Sequence, residues 1–198
     1  MTVEILIPVF SYLLGSVPTG YLLIKYKEGH DIRSSGSGNI GATNVFRKSR
    51  SIGILTFVLD AAKGALAVAI AAALGAGPAW KAAAAVFAIL GHVFTVWLRF
   101  KGGKGVSTWI GAFGVLSPPA LCTAMGLFVA IAALTRTISA ASIGGAALFP
   151  LCAFLYGEPA SVIAAACVGG AVIIVRHREN IRRLLSGKEN KLVFKRKS

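Results

Sequence analysis

Seven apolar stretches, separated by polar segments rich in glycine and basic residues, run through the chain at residues 3–24, 52–74, 79–98, 106–117, 119–134, 138–156 and 160–175. The second is interrupted only by Asp60 and Lys63, while residues 82–98, 121–134, 139–156 and 160–175 contain no Asp, Glu, Lys or Arg. Stretches at or near the ~20 residues that cross a hydrocarbon core read as transmembrane helices. The pattern predicts an all-α, polytopic membrane protein with seven transmembrane helices. The first stretch has no basic segment ahead of it and is followed by further spans, so it reads as a helix and not as a signal peptide. The fourth is short. With the fifth it forms a hairpin turned at Pro118-Pro119, and a hairpin that only dips into the bilayer leaves the parity of the later segments unchanged.

Composition agrees: 56% of the 198 residues are apolar and 14% charged, against about 25% charged in an ordinary soluble domain. Mean hydropathy is +0.74. No polar stretch approaches the ~50 residues of a small soluble domain, so the chain reads as one membrane domain over residues 1–198, with a basic, flexible tail at 190–198. Cys122, Cys152 and Cys167 all fall in apolar stretches without metal-ligand spacing and read as small buried hydrophobes.

Lys and Arg number 21 against 7 Asp and Glu, a net charge of +14 that in a polar chain would suggest nucleic acid. Here its distribution matters more than its size. With the N-terminus outside, 19 of the 21 basic residues fall in inner segments or the C-terminal segment; the exceptions are Lys63 within a helix and Lys81 at the outer edge. The positive-inside rule therefore predicts N-terminus out and C-terminus cytoplasmic. Counting Glu28, Asp31, Glu179 and Glu189 inside and Glu4 and Glu158 outside, the inner face carries +15 and the outer face −1. Orientation and contact with anionic lipid explain the Lys195-Arg196-Lys197 tail, but not the residues between the other charges.

In this topology the second, fourth and sixth helices begin at the inner face, where unpaired N–H groups favour anions. Ahead of the second lies a segment from Ser34 to Arg47 with Ser35, Gly36, Ser37, Gly38, Asn39, Gly41, Thr43 and Asn44. Glycines let amides approach an oxyanion, hydroxyls and carboxamides donate further, and Arg47 offers a planar fork. A plain linker needs none of the two Asn, the Thr or the Arg. Ahead of the fourth helix come Gly91-His92 and then Phe100-Lys101-Gly102-Gly103-Lys104-Gly105. Gly105 in place of Ser or Thr after Lys104, with no preceding strand, excludes a nucleotide-hydrolysing P-loop. A small-residue turn with an ammonium at its tip still suits a phosphate oxygen. The sixth helix opens with Arg136, Ser139 and Ser142, three residues apart and expected near one helix face, with Ser139 a potential cap.

After the seventh helix, Ile181, Leu184 and Leu185 give an interfacial helix an apolar face, ended by Gly187, and leave His177 and Asn180 as candidate site residues. Asp60 lies about 12 Å from the inner end of its helix with Lys63 one turn further. An ionisable pair at depth serves either function or its own neutralisation.

Taken in order, Ser35-Gly36-Ser37-Gly38-Asn39 with Gly41-Ala42-Thr43-Asn44, Gly91-His92, Phe100-Lys101-Gly102-Gly103-Lys104-Gly105-Val106, Arg136 with Ser139 and Ser142, and His177-Arg178-Glu179-Asn180 closely resemble the bacterial acyl-phosphate:glycerol-3-phosphate acyltransferase family. Asp60-x-x-Lys63-Gly64 also resembles the family's second-helix pattern, and the resemblance extends from the first helix to about Glu189. It implies an integral inner-membrane enzyme with its site facing the cytoplasm. Such an enzyme moves a fatty acyl group from acyl phosphate to the 1-hydroxyl of sn-glycerol 3-phosphate, the first acylation of phospholipid biosynthesis, releasing lysophosphatidic acid and inorganic phosphate. The implied partners are the two substrates and membrane lipids, with no nucleic acid, cofactor or metal and with function as a monomer.

On these motifs Lys104, His177 and Asn180 are the expected catalytic residues. Ser35, Gly36, Ser37, Gly38, Asn39, Thr43, Asn44, Arg47, Gly102, Gly103, Lys104 and Ser142 are expected to bind substrate phosphate, and Asp60, Lys63, His92, Arg136 and Ser139 to support them. The His-x4-Asp signature of acyl-CoA-using glycerolipid acyltransferases is absent after both His92 and His177. His177, then His92, then the deeper Asp60 are the candidate bases, and a substrate phosphate oxygen is an alternative proton acceptor. Gly111, Gly114 and Gly144-Gly145-Ala146 suit either an acyl chain or close helix packing. The competing function is membrane transport of a phosphorylated solute, but transporter sites lie near the midplane on broken helices, often in repeats, whereas these loops gather at one surface.

Overall fold

Proline and glycine set most helix boundaries in the computed structural model, which describes residues 2–191, with side chains from Glu4 onward. The described residues form α1 (Thr2–Ser16), α2 (Thr19–Glu28), α3 (Ala42–Lys48), α4 (Arg50–Ala73), α5 (Pro78–Val93), α6 (Val106–Leu116), α7 (Pro118–Thr135), α8 (Ile138–Leu155), α9 (Ala160–Arg176) and α10 (Arg178–Leu185). Pro18 lacks an amide donor and disfavours helix at Val17, so the first apolar stretch divides into α1 and α2. The break leaves the Val17 carbonyl free of the helix ladder, and Lys63 Nζ donates to it at 2.8 Å.

Residues 4–28, α4, α5 with its extension to Leu98, α7 and α8 are five segments long and apolar enough to cross a membrane. A sixth results if α9 is counted with α10, from which it is bent by 60°. The expected seven spans are thus all helical but not all of spanning length. The departure is α6, whose 11 residues cover roughly 16 Å. It begins after the left-handed Gly105, φ 88°, and ends where Ser117 meets Pro118.

α1 packs on α5, α4 on α6, and α8 between α7 and α9. The α4–α6 contact is close because Gly111 faces the backbone of Ala61 and Gly64 that of Thr108; a Cβ at either glycine would overlap backbone atoms. Gly111 therefore serves packing. Trp109 and Phe113 of α6 meet Phe149 of α8 with ring centroids 4.8 and 4.7 Å away, and Ile89, Val93 and Ile173 extend this core. Among the cysteines only Cys152 is buried; Cys122 and Cys167 lie exposed on the bundle surface, contrary to the expectation of burial, because their faces of α7 and α9 have no protein neighbour. The interfacial helix forms as α10, with left-handed Gly187 beyond it. Of the basic tail, residues 192–198 lie outside the described residues.

Candidate active site

The Gly/Ser segment ahead of α4 is ordered around one buried carboxamide. Asn44 Oδ1 accepts from the Ser37 amide at 2.9 Å, while Nδ2 donates to the carbonyls of Ser35 at 3.0 Å and Asn39 at 2.9 Å. Gly36 and Gly38 take left-handed φ of 58° and 69° to close this turn. Asn39 Oδ1 accepts from the Gly41 amide at 2.8 Å, leading into α3. Both N–H groups of Asn44 are therefore engaged, and this residue frames the loop without a donor left for phosphate. Ser35, Gly36 and Gly38 belong to the same frame and do not line the cavity beside it. Ser37, Asn39, Thr43, Asn44 and Arg47 do line it. Thr43 and Arg47 are four apart on α3 and share a face.

The second loop is clamped to α5. The Gly102 amide donates to Val93 O at 3.0 Å and the Gly103 amide to His92 O at 3.1 Å, and Arg176 donates to the carbonyls of both glycines at 3.2–3.3 Å. A Cβ on Gly103 would overlap His92 Nε2. The expectation that these two amides cradle phosphate is corrected: they are committed to backbone carbonyls, and the glycines permit the close approach that aims Lys104 into the cavity.

Lys104 Nζ donates to Asn180 Oδ1. Asn180 Nδ2 donates to Glu189 Oε1 at 2.7 Å, which also accepts from Ser139 Oγ at 2.9 Å, and Arg183 Nε donates to Glu189 Oε2 at 2.7 Å. Glu189 thus ties the end of the described chain to α8 and α10. Burial opposes its charge, but the donors Arg183, Asn180 and Ser139 hold the carboxyl below its ordinary value. Burial lowers the Lys104 pKa to about 8, partly offset by Glu189 and reinforced by Arg183. His177, at the turn between α9 and α10, has Nδ1 2.8 Å from Ile173 O. That carbonyl fixes the Nδ1–H tautomer and leaves the Nε2 lone pair free. Burial, then Lys104, pushes its pKa down to about 4, so the ring is neutral.

The remaining expected residues divide. Ser142 lines the cavity while donating to Ile138 O at 2.9 Å, and Ser139 lines it too. Arg136 does not: at φ 56° it ends α7, with its amide on Ala132 O, before α8 begins at Ile138. Without helical geometry at Arg136, a spacing of three does not put it on the face of Ser139 and Ser142. Asp60 and Lys63 also lie outside the lining, 2% and 5% exposed, paired at 2.7 Å. Thr19 Oγ1 donates to Asp60 Oδ1 at 2.6 Å. This pair stitches α4 to the α1–α2 break. His92 lines the cavity and separates it from the pair, with Nδ1 3.5 Å from Asp60 Oδ1.

The cavity holds about 340 Å³. Its lining combines polar side chains, among them Asn39, Thr43, Arg47, Lys104, His177 and Asn180, with apolar ones, Phe57 of α4, Ile110 of α6, Met125 and Phe128 of α7, and Ile138 of α8. Such a cavity suits an amphiphile with an anionic head. Sequence reasoning missed this apolar wall, whose members come from four helices, and missed Ser107, Arg183 and Glu189 as lining residues. An acid flanked by Lys188 and Lys191 in a basic segment was the available signal for Glu189. Among the described residues no cluster of three or more His, Cys, Asp or Glu could hold a metal ion.

The sequence profile of the family described as "Glycerol-3-phosphate acyltransferase" matches residues 5–187. The glycerol-3-phosphate acyltransferase of Geotalea daltonii is 48% identical over 197 residues, covering 99% of this chain and 100% of the relative. That of Geobacter sulfurreducens is 46% identical over 189 residues, covering 95% and 97%. The crystal structure of PlsY (YgiH), an integral membrane glycerol 3-phosphate acyltransferase, is similar in its glycerol 3-phosphate form with TM-score 0.92 and 38% identity over 96% of each chain. Its lysophosphatidic acid form gives TM-score 0.88 and 37% identity over 96% of each chain.

Proposed function

The chain belongs to the glycerol-3-phosphate acyltransferase family, and we propose that it transfers a fatty acyl group from acyl phosphate to the 1-hydroxyl of sn-glycerol 3-phosphate, forming lysophosphatidic acid and inorganic phosphate. The observation that carries this reading is the lining of one cavity by cationic, hydrogen-bonding side chains together with apolar side chains of α4, α6, α7 and α8. The donor assignment is supported by the cations Arg47, Lys104 and Arg183 in the lining, which match a phosphate leaving group, and by the absence of a His-x4-Asp pair. In the proposed orientation the N-terminus is outside and the C-terminus cytoplasmic in a bacterial inner membrane, supported by the 19 basic residues on one side. The proposed catalytic unit is a monomer without cofactor.

In the proposed reaction the glycerol oxygen attacks the acyl carbonyl carbon, the bond from that carbon to the phosphate oxygen breaks, and phosphate leaves with the electron pair. Lys104 Nζ and the Arg47 guanidinium offset its charge, a contribution that is large in a water-poor site. The hydroxyl proton passes to a phosphate oxygen. His177 accepts a hydrogen bond from the hydroxyl at Nε2 and orients it; a group with a pKa of about 4 is too weak a base to hold the proton at neutral pH. Asn39, Thr43, Ser142 and Asn180 position the two phosphorylated substrates side by side, which supplies much of the rate.

Purified protein is incubated with acyl phosphate and glycerol 3-phosphate and scored for lysophosphatidic acid and free phosphate, with acyl-CoA as the comparison donor. Both products are expected from acyl phosphate alone. Uptake of glycerol 3-phosphate into proteoliposomes without acylation would overturn the proposal.

A further inference from the structure

Among the described residues Lys104 is the one amine in the cavity lining, beside the guanidinium cations Arg47 and Arg183, and it differs from the surface lysines in ways that bear on acyl chemistry. Its Nζ reaches the cavity and touches one protein group, the uncharged Oδ1 of Asn180; among the described residues it forms no ion pair. Lys63, the other buried lysine, is held by Asp60 and lies outside the cavity lining. Lys25, Lys27 and Lys101 are exposed. Burial and nearby cations lower the Lys104 pKa to about 8, so an appreciable fraction of this amine is neutral and nucleophilic near neutral pH. Lys104 lines the same cavity as the apolar side chains Val106, Ile110, Met125 and Phe128. An acyl phosphate with its tail against those side chains and its phosphate on the cations brings its mixed-anhydride carbonyl into the cavity that Lys104 enters.

Resting on the acyl-phosphate reading above, we propose that Lys104 is itself a modification site: in the absence of glycerol 3-phosphate, its Nζ takes the acyl group from the donor. The Nζ lone pair attacks the carbonyl carbon, a carbon–nitrogen bond forms, and the bond to the phosphate oxygen breaks. Inorganic phosphate leaves with the electron pair and takes up the proton lost by nitrogen. The product is an amide, far less reactive to a hydroxyl than the mixed anhydride. Acyl-Lys104 is therefore not an intermediate in transfer. It is a dead end that removes the cation and fills the cavity. Glycerol 3-phosphate protects the enzyme by consuming the donor and by bringing a second phosphate to the same ammonium. An enzyme starved of its acceptor is thereby switched off by its own donor.

Full-length protein in detergent is incubated with palmitoyl phosphate, with and without glycerol 3-phosphate, then analysed by intact mass, peptide mapping and residual turnover. The expected result without acceptor is the mass gain of a single acyl group, mapped to Lys104 and resistant to hydroxylamine, with turnover lost in parallel. Acceptor suppresses the adduct, and Lys104→Arg abolishes it without promoting modification elsewhere. Lysophosphatidic acid formed on later addition of acceptor, with no acyl-Lys104, overturns the inference and leaves the proposed function standing. Neither product nor adduct overturns both. A hydroxylamine-labile adduct, or equal labelling of exposed Lys101, also overturns the inference, since either places the nucleophile elsewhere.

Discussion

The ammonium of Lys104 and the amide oxygen of Asn180, 76 residues apart, meet at the polar side of the cavity. This contact links the loop ahead of α6 to α10. It orients Lys104 without a direct ion pair, since the nearby carboxylate of Glu189 accepts from Ser139, Asn180 and Arg183.

Replacement of Lys104 by alanine is expected to lower kcat by roughly 10²–10³-fold, the scale of losing a preorganised charge at a leaving group. Lys104→Arg keeps charge but not the compact ammonium and is expected to fall between. Lys104 loses its proton as pH rises through its pKa of about 8, so turnover in the wild type is flat below that value and declines above it. The arginine variant is expected to lack this alkaline limb. Phosphate release across the pH range measures both effects.

His177→Ala is expected to raise the KM for glycerol 3-phosphate while keeping most of kcat, because the imidazole orients the hydroxyl and is not the proton acceptor. The pH profile carries the sign: a ring with a pKa of about 4 is neutral throughout the neutral range and adds no acid limb near pH 6.5, the ordinary histidine value. A kcat loss as large as that of Lys104→Ala would contradict this assignment.

Asn44→Ala removes the group that pairs with Ser35, Ser37 and Asn39. Leaving such partly buried groups unsatisfied costs on the order of 1–3 kcal/mol each, so the variant is expected to lose thermal stability together with activity. Asn44→Asp is expected to be worse, because it turns two donors into an acceptor facing the carbonyls of Ser35 and Asn39. Thermal unfolding in detergent, run beside the turnover assay, checks both variants.

Gly103→Ala drives a methyl group onto His92 Nε2. Overpacking of this kind costs about 1–3 kcal/mol, and the displaced loop carries Lys104 with it, so activity is expected to fall further than stability. His92→Ala in the same chain removes the obstructing atom and is expected to restore part of the loss. The two single variants and the double variant form a cycle whose non-additivity measures this contact.

Much of this arrangement is legible in the chain. Apolar stretches of near-membrane length, the one-sided placement of basic residues and the ordered motifs identify the helices and the segments that form the cavity. The division of labour within those segments is not legible. Ser35 and Ser37 are the same residue type, yet Ser35 only frames the loop while Ser37 also lines the cavity, and a seven-residue helix, α3, is what places Thr43 and Arg47 in that lining. Gly102 and Gly103 resemble anion-binding amides until their carbonyl partners on α5 are located. The apolar wall carries no sequence signature, because α7 is hydrophobic around most of its circumference and only packing distinguishes Met125 and Phe128 from their neighbours. Glu189 reaches Ser139 across 50 residues, a pairing no local pattern announces.

The shortness of α6 has a consequence for transport between phases. The helix starts at Val106, two residues after Lys104, and within its 11 residues the lining passes from polar Ser107 to apolar Ile110. In the proposed reaction the carbonyl meets a water-soluble acceptor while the tail stays in oil, so no methylene has to be lifted into water at about 0.8 kcal/mol each.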